Sequence, residues 1–293
     1  MRVFITGASG GIGSAVVTEL VNAGHQAVGL ARSDTSADII RRLGGEAVAG
    51  DLADVETLMR AADDADGVIQ LAFSNDFGNL EAGIAAEARA VAAVSEALVG
   101  TGKPLVFASG TPAAPGRPST EEDPPPTDGP VGGRGRTAQA VVALAEHGVR
   151  SSLVRLPRSV HAARGRCGFA TMLIAAARRT GISGYVGDGT QRWPAVHRLD
   201  AARLFRIAIE AAPAGSILHA VADEGDPMRR LAEVIGEQLQ LPVEPVATET
   251  YGVLGAVFAL DQPSSSALTR QRFGWQPSHP SLLDDLRVGD YPA

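Results

Sequence analysis

The chain has 293 residues, 45% of them hydrophobic and 20% charged, and its 26 basic and 33 acidic side chains give a formal charge of −7. That balance excludes a disordered chain, a coiled coil and a basic nucleic-acid-binding surface, because a net acidic surface repels phosphate backbones. An anionic ligand therefore needs a local patch of positive potential.

The first 110 residues alternate short apolar runs with helical patterns, the rhythm of a parallel sheet with crossover helices. Val3–Thr6, Gln26–Leu30, Glu46–Ala49, Gly67–Leu71 and Leu105–Ala108 are predicted strands. Ser14–Ala23, Ser36–Leu43, Val55–Ala62 and Leu80–Val99 are predicted helices. The fold class expected is α/β, a Rossmann-type doubly wound parallel sheet with a smaller C-terminal substrate lobe. Thr111–Pro130 holds seven of the eighteen prolines and the acidic run Glu121-Glu122-Asp123. Proline suits neither helix interior nor central strand, so this is a surface linker or a loop bordering an active site.

A helix at Arg136–His147 and a strand at Ser151–Leu156 resume the alternation. Beyond Pro157 the pattern predicts a helix at Phe169–Thr180 and short strands at Tyr185–Val186 and Trp193–Val196. Asp200 is read as the cap of a helix running to Ala212. Ile217–Ala220 is expected as a last sheet strand, and Met228–Leu239, Thr250–Leu260 and Ser264–Phe273 as helices. Residues 1–160 are expected to form a dinucleotide-binding domain, taking further strands from about 195–222. Residues 161–293 are expected to form a smaller, mostly helical lobe for substrate.

Cys167 is the single cysteine, which excludes an intrachain disulfide and fits a reducing compartment. Gly252–Leu260, the longest late apolar stretch, falls far short of the ~20 residues a spanning helix needs. Met1-Arg2 leads directly into Val3-Phe4-Ile5 with no room for a signal-peptide core. A cytoplasmic protein with no membrane, nucleic-acid or metal partner is expected.

Thr6-Gly7-Ala8-Ser9-Gly10-Gly11-Ile12-Gly13 joins the first strand to the first helix. A pyrophosphate needs bare backbone N–H groups at a helix N-terminus, whose dipole favours negative charge. Gly7 suits the tight turn, Gly10 the close approach of backbone to ligand, and Gly13 the pressing of helix on sheet. Gly7, Ser9, Gly10, Gly11, Ile12 and Gly13 are the expected pyrophosphate-binding residues. At the end of the second strand a carboxylate selects NAD, whereas here Ala31-Arg32-Ser33-Asp34 offers Arg32 to fork onto a 2′-phosphate and Ser33 to add a hydroxyl. Asp34 dissents. NADP is the expected cofactor, with NAD as the alternative.

These residues are similar to the short-chain dehydrogenase/reductase superfamily, in its extended, epimerase/dehydratase-like branch. Gly7-x-x-Gly10-x-x-Gly13 has that superfamily's spacing. The resemblance implies that Gly50-Asp51-Leu52 touches adenine, with Asp51 on its amino group. It also implies that Leu71-Ala72-Phe73 passes the nicotinamide ribose. Val106–Thr111 resembles the fifth strand with its catalytic serine or threonine, which makes Ser109 and Thr111 the catalytic candidates. Leu153-Val154-Arg155-Leu156-Pro157 resembles the strand leading to the nicotinamide amide, implying contacts from Pro157 and Val160. Gly187-Asp188-Gly189 through Trp193 and Val196–Asp200 resembles the branch's later signature. His197 reads as packed or hydrogen-bonded rather than substrate-binding.

That superfamily's chemistry uses a Tyr-x-x-x-Lys pair, and no such spacing exists here: the one lysine is Lys103, and the tyrosines are Tyr185, Tyr251 and Tyr291. The pair's place falls near Val131 and Gly135, neither of which exchanges a proton. Ser109 polarises a carbonyl but is a poor acid near neutrality. Arg134 or Arg136 can restore the charge but not the proton. His161, Tyr185 and bound water are the remaining donors to weigh.

The function expected is an NADP-dependent oxidoreductase that reduces a small or medium carbonyl or conjugated substrate. The alternatives are a catalytically degenerate NADP-binding sensor or scaffold, and a sugar-nucleotide epimerase or dehydratase. The alanine-rich stretch Leu80–Val99 permits close helix approach and carries the expectation of a homodimer.

Overall fold

The computed structural model describes residues 1–74, 77–164 and 168–291, so Cys167 lies outside the described residues. In chain order the elements begin with β1 (Arg2–Thr6), α1 (Gly11–Asn22), β2 (Gln26–Ala31), α2 (Asp34–Arg42), β3 (Glu46–Ala49) and α3 (Val55–Asp63). There follow β4 (Gly67–Gln70), α4 (Leu80–Leu98), β5 (Pro104–Gly110), α5 (Gly132–Ala143), β6 (Arg150–Leu156), β7 (Ser159–His161) and α6 (Phe169–Thr180). Then come β8 (Ser183–Val186), β9 (Arg192–His197), α7 (Arg198–Ala211), β10 (Ser216–His219), β11 (Asp223–Pro227) and α8 (Met228–Leu239). The chain ends with β12 (Val243–Val246), α9 (Gly255–Phe258), α10 (Ala267–Phe273) and α11 (Leu282–Arg287). Among the described residues no helix is long and apolar enough to cross a membrane.

The chain divides into two compact units. The first comprises Met1–Gly110, Pro124–Arg155 and Ala201–Leu218. Its seven-stranded sheet has the order β10-β6-β5-β4-β1-β2-β3, and the β1–β2, β1–β4, β2–β3 and β4–β5 pairs are parallel. This is the Rossmann-type sheet expected, with its topological switch between β1 and β4. Register aligns Phe4 with Val28 and Val68, and Val68 with Leu105. Those side chains are buried with Leu58 of α3, Val91, Val94 and Leu98 of α4, and Ala138 and Val141 of α5. Burying such side chains is worth about 1.5–3 kcal/mol each, so this layer anchors the unit.

The second unit comprises Thr111–Asp123, Leu156–Asp200 and His219–Ala293. A three-stranded sheet, β11-β9-β7, and a parallel pair, β12-β8, carry its helices. Trp193 and Phe258 are fully buried with ring centroids 4.9 Å apart, and Tyr251 packs on Phe258 at 5.1 Å.

Local chemistry sets several helix starts. The Ser33 hydroxyl accepts from the Ser36 amide, Asp54 from Thr57 and Ser281 from Asp284, capping α2, α3 and α11. α1 differs: it opens on Gly10 with no side-chain cap.

Several expectations need correction. Asp200 does not cap a helix, because α7 starts two residues earlier, directly off β9. Its carboxylate accepts from the amides of Ser278 and His279, and its carbonyl from the Trp275 indole, 3.0 Å away. The strand around Trp193 pairs with β7 and β11 rather than joining the large sheet; of the strands expected from about 195–222, only Ser216–His219 does so. Thr250–Leu260 is not one helix: a 3₁₀ stretch, Thr248–Leu254, is broken at Gly252, whose φ of 56° interrupts it before α9. Helix α10 starts at Ala267 rather than Ser264, because Ser264 is taken up in a bridge to Ser119.

The proline-rich segment is not a solvated linker. Ser119 and Glu121 are buried, the Ser119 hydroxyl bonds Ser264 at 2.9 Å, and Glu121 accepts from the Thr269 amide at 2.7 Å. The pairing fixes Thr111–Asp123 into the second unit.

Candidate functional site

The turn between β1 and α1 is stripped of side chains. The Thr6 hydroxyl accepts from the amides of Leu71 and Ala72 at 3.2 and 3.1 Å, tying the segment after β4 to the end of β1. That places backbone where a side chain at position 7 would stand: a Cβ there would lie 3.0 Å from Ala72 N and Cα, and Gly7 has φ +71°. Gly10 N–H donates to the Gly7 carbonyl at 3.0 Å. A Cβ at Gly13 would overlap the Gly7 carbonyl oxygen, so Gly13 presses α1 onto the turn itself. With no cap from Gly10, the first-turn amides of Gly11, Ile12 and Gly13 have no side-chain acceptor among the described residues. Gly10 and Gly11 are exposed, and Ser9 and Ile12 half-buried. A bare, uncapped helix start at the carboxyl end of a central parallel strand is the cradle a diphosphate requires, and the residues present fit it.

Beside it lies a cleft of about 430 Å³ whose lining includes Arg32, Ser33, Asp34, Arg41, Gly50 and Asp51. Arg41 pairs with Asp38 at 3.1 Å, while Arg32 is exposed and has no ion pair among the described residues. Ser33 is engaged as the α2 cap, and Asp34 is the first residue of that helix. One carboxylate oxygen of Asp51 accepts from the Ala53 amide at 2.7 Å. Leu52 packs against the core of the first unit. Asp54 is held below the usual carboxylate range by its hydrogen bonds from Thr57.

At the carboxyl ends of β4 and β5 the structure gathers Phe73, Ala108 and Arg134. The Arg134 guanidinium stands 4.1 Å from the Phe73 ring centroid. Its Nε and Nη2 donate to the two carboxylate oxygens of Glu87, each at 2.9 Å, and Nη2 also donates to the Ala108 carbonyl at 3.2 Å. The Glu87 side chain is 2% exposed. Burial pushes its carboxyl up while the hydrogen bonds and charge of Arg134 pull it down, and the net shift is upward. Ser109, 7% exposed, follows Ala108.

Sequence reasoning offered Arg134 and Arg136 as equals, but Arg136 turns away to the Thr127 carbonyl. Glu87 was missed. The available signal was a lone carboxylate on the apolar stripe of α4 shared by Gly83, Ala90, Val91 and Val94.

The Val131–Gly135 stretch opens α5 with Val131 as its cap residue. A Cβ at Gly132 would overlap the Thr127 carbonyl, and one at Gly135 the Pro126 carbonyl. The helix start is therefore closed against the proline loop, with no room for a side chain at 135. Lys103 lies elsewhere, donating to the Asp63 carbonyl at 2.7 Å.

The other candidates belong to the second unit. Thr111 is buried, its amide donates to the Leu156 carbonyl at 3.0 Å, and its hydroxyl has no partner among the described residues. Pro157 is buried and Val160 half-buried. His161 is fully buried, with Nδ1 2.7 Å from Asp285. Burial lowers its pKa, outweighing Asp285. His197 is packed, stacking on His279 with centroids 4.7 Å apart, and burial lowers its pKa to about 4. Tyr185 is 8% exposed and sits under the Arg229 guanidinium. Tyr251 bonds the Gly184 carbonyl, and burial raises it to about 12. A second cleft of about 500 Å³ is lined by Val186–Asp188, Thr190–Arg192, Ala259 and Asp261. Its Arg192 is held by Asp261 at 2.7 Å.

Residues 3–220 match the sequence model of the NAD dependent epimerase/dehydratase family. A Schizosaccharomyces pombe protein described as uncharacterized is 43% identical over 300 residues, covering 99% of this chain and 100% of that one. A Saccharomyces cerevisiae protein with the same description is 42% identical over 295 residues, covering 98% of each. Among solved structures, UDP-glucose 4-epimerase of Thermotoga maritima with UDP-glucose superposes with TM-score 0.80 at 18% identity, covering 99% of this chain and 97% of its own. The dTDP-glucose 4,6-dehydratase DesIV of Streptomyces venezuelae with NAD and TYD bound has TM-score 0.79 at 18% identity, covering 99% and 96%. At that identity the likeness is one of fold.

Proposed function

The chain belongs to the NAD dependent epimerase/dehydratase family, and from that premise we propose that it is an NADP-dependent reductase of a small or medium carbonyl or conjugated substrate. The observation that carries the reading is the pairing of an uncapped glycine turn at α1 with Arg32, which has no ion pair among the described residues, in the cleft beside it. The amides of Gly11, Ile12 and Gly13 hold the diphosphate, and Asp51 and Leu52 border the adenine. Arg32 holds the 2′-phosphate as a fixed positive fork, which outweighs Asp34 at the start of α2. Leu71, Ala72 and Phe73 border the nicotinamide ribose, and Pro157 and Val160 its amide.

When bound, the nicotinamide supplies a hydride donor. Ser109 donates a hydrogen bond to the carbonyl oxygen of the substrate and stabilises the charge that develops there. Thr111, whose hydroxyl has no partner among the described residues, is the second catalytic candidate. Val131 and Gly135, which stand where the family places its tyrosine and lysine, exchange no proton, so the final proton is drawn from water. The same lack argues against a sugar-nucleotide epimerase or dehydratase, whose chemistry starts by taking a proton from a hydroxyl.

The closed turn at Val131–Gly135 also favours a second reading, a binding protein that senses NADP redox state without turnover. A homodimer through α4 fits either reading. The test is calorimetric titration with NADPH, NADP and NADH, followed by NADPH oxidation across a panel of aldehydes, ketones and enones. A reductase oxidises NADPH with at least one class. Tight NADPH binding, weaker NADP binding and no oxidation would select the sensor. An Arg32→Ala variant should lose about 10–100-fold in NADPH affinity, the worth of one charge-assisted hydrogen-bonded contact, with NADH affinity unchanged.

A further inference from the structure

Arg134 is built as a fixed charge rather than a surface arginine. Its guanidinium is immobilised by both oxygens of Glu87, by the Ala108 carbonyl and by the face of Phe73. An exposed arginine would gain little from such an arrangement, because solvent screens the pair and ordering the side chain costs entropy. Here Glu87 comes from the buried stripe of α4, where a leucine or alanine would pack without any desolvation cost. The fold keeps a buried carboxylate whose one described ion-pair partner is this guanidinium.

The bonds to Glu87 and Ala108 use Nε and Nη2, and Nη1 has no hydrogen bond among the described residues. The side chain is 26% exposed, and its guanidinium keeps donors beyond those bonded to Glu87 and Ala108. They lie beside the segment Leu71–Phe73, which Thr6 ties to the diphosphate turn, and beside Ala108, the residue before Ser109. These are the carboxyl ends of β1, β4 and β5, where sheets of this topology bind dinucleotides.

We propose that Arg134, oriented by Glu87, holds the nicotinamide-ribose half of the dinucleotide through Nη1. The assignment rests on the dinucleotide reading above. Because a guanidinium keeps its proton, Arg134 binds and orients but transfers none. Glu87 is the positioning residue: it acts only through the guanidinium it fixes. The turn that carries Arg134 is closed by the Pro126 and Thr127 carbonyls, so the side chain reaches this place from a helix start that admits no lysine at 135.

The test is calorimetric titration of the wild type, Arg134→Gln and the double variant Glu87→Gln/Arg134→Gln, each checked by thermal melting. The double variant leaves no unpaired buried charge and keeps the test valid should the single variant fold poorly. Two probes are used: NADPH, and adenosine 2′,5′-bisphosphate, which lacks the nicotinamide half. The expected result is a loss of tenfold or more in NADPH affinity for both variants, with affinity for the bisphosphate within twofold of wild type. Unchanged NADPH affinity in a folded variant overturns the assignment. Equal weakening of both probes overturns it too, since Arg134 would then act through the fold. If the wild type binds neither probe, the dinucleotide reading itself has failed and this assignment falls with it.

Discussion

Replacing Gly135 by alanine tests whether the start of α5 is as closed as the geometry requires. In a helix, glycine to alanine ordinarily gains about 1 kcal/mol by propensity. At Gly135 the added methyl would overlap the Pro126 carbonyl oxygen, with the carbonyl carbon 2.7 Å and Thr127 N 3.4 Å away. The obstacle is backbone, and the Pro124-Pro125-Pro126 run has its φ angles locked, so relief requires moving the loop away from the helix. Overpacking of this kind costs about 1–3 kcal/mol and occasionally more, and a contact this short belongs at the upper end. Setting the propensity gain against that cost leaves a net loss of roughly 2 kcal/mol. At about 2–4 °C per kcal/mol for chains somewhat shorter than this one, the melting temperature falls by roughly 4–8 °C. Gly11→Ala is the internal control, because a Cβ there meets nothing within 4 Å and the backbone is not left-handed. Scanning calorimetry of both variants decides the matter: Gly11→Ala should melt at or slightly above wild type and Gly135→Ala well below it. Equal melting temperatures would refute the closed turn. They would also reopen the possibility of installing a functional lysine at that position.

Three further outcomes follow from the same structure. Burial holds His197 at about 4 against an unfolded value of 6.5. The unfolded chain therefore takes this proton first, so the stability His197 contributes is full above pH 6.5 and declines as pH falls toward 4, by about 1–2 kcal/mol after discounting for solvent screening. His197→Gln should flatten that part of the stability–pH profile measured by chemical denaturation. Asp226 acts with the opposite sign: burial raises it from 3.8 to about 6, so the folded state binds its proton more tightly and loses stability as pH rises through 6. Asp226→Asn should gain about 1–2 kcal/mol at pH 7, after discounting for its partial exposure, and nothing below pH 4. Ser109→Ala should lower kcat for carbonyl reduction by about 100-fold, the effect of losing one oxyanion donor, while leaving NADPH affinity unchanged.

The parts of the molecule written locally were legible in the sequence. The strands and helices of the large sheet alternate cleanly, and helices Phe169–Thr180 and Met228–Leu239 lie where their periodicity puts them. The glycine turn between β1 and α1 was readable because a strand end, three spaced glycines and a helix start are contiguous. Elements defined by distant partners were not. β11 has the sequence Asp-Glu-Gly-Asp-Pro, which reads as a turn and becomes a strand only by pairing with β9. β7 is three residues long, and the short helix Leu282–Arg287 rests on its Ser281 cap. Asp200 carries a capping residue type but spends its carboxylate on amides 78 and 79 residues away. The Glu87–Arg134 pair spans 47 residues and joins two helices, so no spacing rule points to it. Gly135 was readable as a missing lysine, but the reason no side chain fits there is the carbonyl of Pro126 on a separate loop.

The central claim is that the uncapped start of α1 and Arg32 form one binding surface for a phosphorylated dinucleotide. Isothermal titration of the purified chain with NADPH, with NADH in parallel, tests it most directly. The account predicts saturable heat with one NADPH per chain and at least tenfold weaker binding of NADH. Absence of heat with both nucleotides, or tighter binding of NADH, would contradict it.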